Sequence, residues 1–77
     1  MLKGKIFSVD GNFRDAPDVF IDPIFVESVE LTTNRTYLGY EFVTVVCMSS
    51  GKEYTMFGHT IGNDIVKAKA NIEQHAT

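Results

Sequence analysis

Residues 40–57 read YEFVTVVCMSSGKEYTMF, and this stretch decides how the chain folds. An apolar-rich segment, residues 40–48, leads into a Ser-Ser-Gly-Lys turn, and a shorter alternating segment, residues 53–57, follows it. Two such segments joined by a short glycine-containing turn predict a β-hairpin. Because both faces of the first segment are mostly apolar, we expect it to lie in the centre of its sheet with cover on both sides.

A single amphipathic helix is predicted directly after the hairpin, over residues 60–75. Its apolar positions are spaced four, three and four residues apart, and they are Ile61, Ile65, Ala68 and Ile72. This spacing places them in one stripe along a helix, and Thr60 or Asn63 supplies a capping side chain at the start. The helix can cover one face of the sheet. The other face then needs a second sheet, the N-terminal segment or a second subunit.

The remainder of the chain predicts further strands and turns. Residues 3–9 and the alternating residues 24–33 are interpreted as strands, and residues 19–21 form an apolar triplet before Asp22-Pro23. Residues 13–18 are interpreted as a loop, and residues 34–36 as a turn that could widen as far as Gly39. We therefore expect one α+β domain over residues 1–77, with an antiparallel sheet of three to five strands and one C-terminal helix packed on it.

Size and charge exclude several classes of protein. A chain of 77 residues buries a modest fraction of its surface, and small domains compensate with disulfides, metals or oligomerisation. Cys47 is the only cysteine, so no disulfide forms within the chain and a homo-oligomer is expected. The net charge is −3 and no basic cluster exists, which argues against nucleic acid as a partner. No segment suits a signal peptide or a membrane span, so we expect a cytoplasmic protein without membrane contact.

Catalytic and metal sites are not indicated. His59 and Asp64 could form a general base and its orienting group, but no nucleophile accompanies them and a turn or capping role for His59 is favoured. Cys47 is interpreted as a small buried hydrophobic residue. The string Asp10-Gly11-Asn12-Phe13-Arg14 begins like a calcium loop, yet Arg14 occupies a ligand position. We therefore expect no enzyme activity, no metal and no cofactor.

Aromatic residues are the best candidates for a binding site. Nine aromatic residues are more than one small core can enclose, so some of them must be exposed. Tyr37 and Tyr40 flank Gly39, while Phe13 and Phe20 flank the loop around Pro17. Exposed tyrosine and phenylalanine are common anchors of protein interfaces. We therefore predict that these four aromatic residues contact a protein partner.

A small-ligand site at the start of the helix is the alternative. Gly58 and Gly62 flank this start, and backbone N–H groups at a helix N-terminus can bind a small anion. His59, Thr60 and Asn63 would line such a site. Under this hypothesis the protein is an oligomeric binder of a small, nucleotide-like ligand with pockets between subunits.

Residues 21–72 resemble the small β-β-β-helix proteins of the FlbD flagellar type and similar bacteriophage proteins. The matching segments are Ile21-Asp22-Pro23, residues 26–30, the strand as far as Cys47, residues 50–54 and the final amphipathic helix. The N-terminal strand and the loop at residues 13–18 depart from this pattern. The resemblance implies a small non-enzymatic binding or regulatory protein. We expect a phage-like adaptor or inhibitor.

Overall fold

The computed structural model describes residues 1–75, which form five strands, one short 3-10 helix and one α-helix. The strands are β1 (Leu2–Lys5), β2 (Asp18–Ile21), β3 (Val26–Thr36), β4 (Gly39–Met48) and β5 (Glu53–Phe57), and the helices are a 3-10 turn (Pro23–Phe25) and α1 (Thr60–His75). β1 and β2 pair in a two-stranded antiparallel sheet, and β3, β4 and β5 form a three-stranded antiparallel sheet in that order. The expected α+β class with one C-terminal helix is confirmed.

The predicted hairpin is the β4–β5 pair, and β4 is the central strand of the larger sheet. Val43 lies opposite Phe57 and Val46 lies opposite Tyr54. The turn is closed by the Met48 N–H, which donates to the Lys52 carbonyl at 2.8 Å.

The helix packs on one face of this sheet and encloses the main core. Six buried side chains form that core: Ile21, Val26, Val46, Met56, Ile61 and Ile65. Gly4 in β1 and Gly62 in α1 allow close packing, because a Cβ at either position would meet buried side chains at less than 3 Å. The predicted apolar stripe is buried at Ile61 and Ile65, whereas Ile72 near the helix end is exposed.

The N-terminal segment joins the edge of the sheet at β5 to the turn between β3 and β4. The Phe7 N–H donates to the Thr55 carbonyl at 2.9 Å, and the Tyr37 N–H donates to the Val9 carbonyl at 2.9 Å. The Phe7 ring contacts Phe57 on the face that the helix leaves free, with 5.2 Å between ring centroids. Val43 on this same face is fully buried. The N-terminal segment therefore covers at least part of the sheet face opposite the helix. It is one of the three covers expected from the sequence.

Three boundaries differ from the sequence prediction. β1 ends at Lys5 rather than at residue 9, because the chain leaves β2 and forms a single bridge from Ile6 to Met56. β3 begins at Val26 after the 3-10 turn, and a register shift between Val26 and Ser28 interrupts its alternation.

The turn expected at residues 34–36, with its widening as far as Gly39, lies only in the widened part, because residues 34–36 still pair with β4. Thr36 lies opposite Gly39, so Tyr37 and Leu38 form a two-residue turn. The Thr36 hydroxyl donates to the Gly39 carbonyl at 3.2 Å, and Gly39 adopts a φ of +136° that favours glycine. The turn therefore forms directly before Gly39 rather than at Asn34.

Candidate functional site

The β3–β4 hairpin extends beyond the helix and exposes a group of apolar side chains. We call this group the hairpin surface, and it consists of Leu31, Tyr37, Leu38, Tyr40 and Phe42. Leu38 at the turn is 91% exposed and Tyr37 beside it is 81% exposed. Cross-strand pairing places Phe42 opposite Thr33 and Tyr40 opposite Arg35. Strand alternation therefore puts Leu31, Tyr40 and Phe42 on the face that carries the helix.

The helix start borders the hairpin surface and contacts it through His59. The His59 ring lies against the Phe42 ring, with 4.9 Å between centroids. Its Nε2 lies 2.7 Å from the Thr32 carbonyl oxygen. A carbonyl oxygen can only accept, so Nε2 carries the proton and donates it. His59 therefore links the start of the helix to β3 and β4.

A cation lies beside the aromatic part of the hairpin surface. The guanidinium of Arg35 lies 5.9 Å from the centre of the Tyr40 ring, which allows a cation–π interaction. Thr33, opposite Phe42, is also exposed on this face, whereas Asn34 and Glu41 point to the opposite face. The apolar side chains are thus accompanied by polar and charged groups, as in the core and rim of many protein interfaces.

The four aromatic residues predicted to bind a protein lie on different elements. Tyr37 and Tyr40 come together on the hairpin surface. Phe13 packs edge-on against Phe57, with 5.7 Å between the ring centroids. Phe20 is an exposed residue of β2 opposite Lys3.

Sequence reasoning missed three members of the hairpin surface, namely Leu31, Leu38 and Phe42. Phe42 shares the strand face of Tyr40, so strand alternation alone could have added it. The exposure of Leu31 had no sequence signal, because it depends on where the helix begins.

A groove lies between the N-terminal segment and the helix start, apart from the hairpin surface. It has a volume of about 530 Å³ and is lined by Lys3, Gly4, Lys5, Gly11, Phe13, Glu41, Phe57, Gly58, Thr60, Ile61 and Asp64. Of the three residues predicted to bind a ligand, Thr60 lines it, whereas His59 is bonded to Thr32 and Asn63 is exposed on the helix. Its two lysines are balanced by two carboxylates, so the groove has no formal net charge.

Hydrogen bonds stabilise the charged form of two carboxylates near this groove. The Lys5 ammonium lies 3.0 Å from Asp18 Oδ1, and its hydrogen bond lowers the pKa of Asp18 from the ordinary 3.8. The Ser8 hydroxyl donates to Asp10 Oδ1 at 2.6 Å and, together with the Asn12 N–H, lowers the pKa of Asp10. A depressed folded-state pKa contributes stability above the unfolded pKa, and that contribution is lost as the pH falls through the folded value.

We predict that Lys5→Met raises the pKa of Asp18 towards 3.8 and leaves the pKa of Asp10 unchanged. Ser8→Ala is the matched control, and it should raise the pKa of Asp10 alone. Carboxyl ¹³C chemical shifts followed by NMR between pH 2 and pH 6 measure both groups in each variant. An unchanged pKa of Asp18 in Lys5→Met would contradict this assignment.

The sequence also raised a metal site, a His59–Asp64 pair, the role of Cys47 and a membrane span. Within residues 1–75, no three His, Cys, Asp or Glu side chains come together in a group that could hold a metal ion. No hydrogen bond joins His59 to Asp64 in this part of the chain, since the His59 Nε2 is directed to Thr32. Cys47 is a half-buried free thiol. Among the described residues, no helix is long and apolar enough to cross a membrane.

Comparison with known proteins assigns no family to the chain. No family model matches the sequence, and neither the curated proteins nor the solved structures yield a match. The resemblance to FlbD-type and phage proteins therefore stays a prediction.

Proposed function

We propose that this protein is a non-catalytic binding protein that acts through protein–protein contacts at the hairpin surface. The observation that carries the proposal is the exposure of five large apolar side chains, three of them aromatic, at one end of one hairpin. Scattered exposed apolar residues are ordinary, but a group of them on one element is typical of an interaction site.

The chemistry of the hairpin surface defines the kind of partner that it fits. Tyr37, Tyr40 and Phe42 offer large, fairly rigid side chains that release water from both surfaces when they enter a pocket. Arg35 beside Tyr40 can pair with a carboxylate of the partner. The fitting partner is therefore a protein with an apolar groove and an acidic group at its border.

An adaptor or an inhibitor in the cytoplasm is the role that we propose for such a module. A hairpin that carries its contact residues on the turn and on one face can insert into a groove of another protein. The half-buried free thiol of Cys47 is consistent with a reducing compartment. A phage-encoded inhibitor is one form of this proposal.

Photo-crosslinking tests the proposal directly. We predict that a benzophenone amino acid at position 38 forms covalent adducts with one or a few proteins in the cells that produce this chain. The same group at Ser50, an exposed residue of the β4–β5 turn, is the matched control and should give few adducts. Tyr40→Ser combined with Phe42→Thr should remove the adducts at position 38 without loss of the circular dichroism spectrum.

Two outcomes would overturn the proposed function. One is an equal yield of adducts at positions 38 and 50. The other is an unchanged yield at position 38 after both aromatic residues are replaced.

Binding of a small, nucleotide-like ligand remains the second candidate. The observation that favours it is the groove of about 530 Å³ with Thr60 in its lining. It ranks second because His59 and Asn63 do not line this groove and because its charges balance. Under this candidate, oligomerisation would have to complete the site.

A further inference from the structure

The outer edge of β3 is an unpaired strand edge within residues 1–75. The Phe42 carbonyl accepts from the Gly58 N–H at 2.7 Å, and the Met48 N–H donates to the Lys52 carbonyl. The even-numbered residues of β4 thus direct their backbone groups towards β5, and the odd-numbered ones towards β3.

The register of β3 and β4 then assigns the outward-facing groups of β3. Val43 faces Thr32 and Val45 faces Glu30, so Val29, Leu31 and Thr33 direct their N–H and C=O groups away from the sheet. The Arg35 N–H is bonded to Asn34 Oδ1 at 2.9 Å. The regular part of this edge, residues 28–36, contains no proline and is a ready template for another strand.

We propose that this edge pairs in an antiparallel manner with the same edge of a second copy of the chain. The two Leu31 residues would face each other at a twofold axis, and the two sheets would join into one of six strands. This inference goes beyond the proposed function, because it concerns the backbone edge of β3 rather than the side chains of the hairpin surface.

Charge complementarity selects this register. With Leu31 opposite Leu31, Arg35 of each copy comes beside Glu27 of the other, which lies at the register shift next to the regular ladder, four positions from Leu31. Opposite charges placed across from each other stabilise a strand pair.

The neighbouring registers are less favourable. Only shifts that keep outward-facing residues together can form the backbone ladder. A shift of the dyad to position 30 places Glu30 opposite Glu30, where the like charges repel. A shift to position 32 places Arg35 opposite Val29 and Leu31 opposite Thr33, so the charge pairs and the central apolar pair are both lost.

A small groove beside the edge suits the incoming arginine. It has a volume of about 240 Å³ and is lined by Glu27, Ser28, Val29, Val66, Lys69, Ala70 and Glu73. The ammonium of Lys69 donates to the Val26 carbonyl, and two carboxylates remain beside the apolar floor of Val29 and Val66. The aliphatic part of Arg35 can cover this floor while its guanidinium meets the Glu27 and Glu73 carboxylates.

Exchange of the charges at Glu27 and Arg35 distinguishes this pairing from other contacts between copies. Sedimentation equilibrium measures the association. The native chain should pass from 8.6 kDa to twice that mass as its concentration rises from about 1 μM to about 1 mM. We expect Glu27→Arg and Arg35→Glu each to weaken association about tenfold or more, because each creates two like-charge pairs per dimer. The double variant restores the opposite charges and should associate within about threefold of the native chain.

Two further variants control for indirect effects. Glu30→Arg makes the same charge change on the same strand but faces Thr32 in the proposed register, so association should change by no more than about threefold. Thr33→Pro removes an outward N–H that has no partner among residues 1–75, and proline is tolerated on such an edge. It should keep the native circular dichroism spectrum and abolish association.

The outcomes separate this inference from the proposed function. A chain that stays at 8.6 kDa throughout, or a double variant that does not recover, overturns the edge pairing. Adducts from position 38 to a different protein would then still support the proposed function. Conversely, a dimer that responds to the charge exchange but gives no adducts from position 38 would retain the edge pairing and overturn the proposed hairpin contact.

Discussion

Replacement of Ile65 by alanine is expected to lower the free energy of unfolding by about 3 kcal/mol. Ile65 is 0% exposed and packs in the core with Val46, Met56 and Ile61, so the truncated side chain leaves a cavity between the helix and the sheet. A chain of 77 residues has a total stability of roughly 4–12 kcal/mol. The substitution therefore removes a large share of it, and the melting temperature should fall by about 15 °C.

Urea denaturation followed by circular dichroism measures this change. Val66→Ala is the matched control, because Val66 is the next residue of the helix and is 53% exposed. Its effect should stay within about 0.5 kcal/mol of the native chain. Similar losses in the two variants would mean that the helix does not bury Ile65 against the sheet.

Gly62→Val is expected to destabilise the protein by about 3 kcal/mol, at the upper end of overpacking effects. A Cβ at this position would lie 2.7 Å from Thr44 Oγ1 and 2.9 Å from Thr44 Cγ2, and it would also meet the end of Leu31. Leu31 is partly exposed and can move aside. Thr44 cannot easily move, because it is fully buried and its hydroxyl donates to the Gly58 carbonyl at 2.7 Å.

Asn63→Val makes the matched control for this second prediction. Asn63 is the next helical residue and is exposed, so valine there should change the stability by less than about 0.5 kcal/mol. Thermal unfolding of both variants at neutral pH checks the difference. If Gly62→Val unfolded at the native temperature, the close approach of the helix to β4 would be disproved.

The two proposals concern adjacent parts of one hairpin. Pairing of two β3 edges would bring the two hairpin surfaces to the same side of one continuous sheet. The reason is that Leu31, Tyr40 and Phe42 lie on the helix-side face of the sheet in each copy. Such an arrangement would leave the turn residues Tyr37 and Leu38 at its outer parts. A dimer could then still contact a further protein.

Much of the fold could be predicted from local patterns. The apolar run of residues 40–48, Gly51 in the following turn and the spacing of Ile61 and Ile65 are properties of short segments. The register shift near Glu27 and the turn at Tyr37 and Leu38 could not be predicted in the same way. They depend on which residues of β3 and β4 pair, and several turn-forming residues compete between Asn34 and Gly39.

The candidate site was only partly accessible to the same reasoning. Tyr37 and Tyr40 could be proposed from their aromatic character and their position beside Gly39. Leu38 and Leu31 could not, because nothing in their local pattern separates an exposed leucine from a core leucine. Phe13 and Phe20 illustrate the converse, since equally aromatic residues lie on separate elements once the chain is folded.

The sequence by itself determined the α+β class, the β4–β5 hairpin, the helix and its apolar stripe, because periodicity and turn chemistry act within a few residues. Only the tertiary structure decided that the N-terminal segment reaches the second face of β4, that His59 braces Phe42, and that one end of the hairpin stays uncovered. These features arise from contacts between residues that are distant in the chain. Which apolar side chains remain exposed depends on the space left after all the elements have packed, and no local pattern records that space.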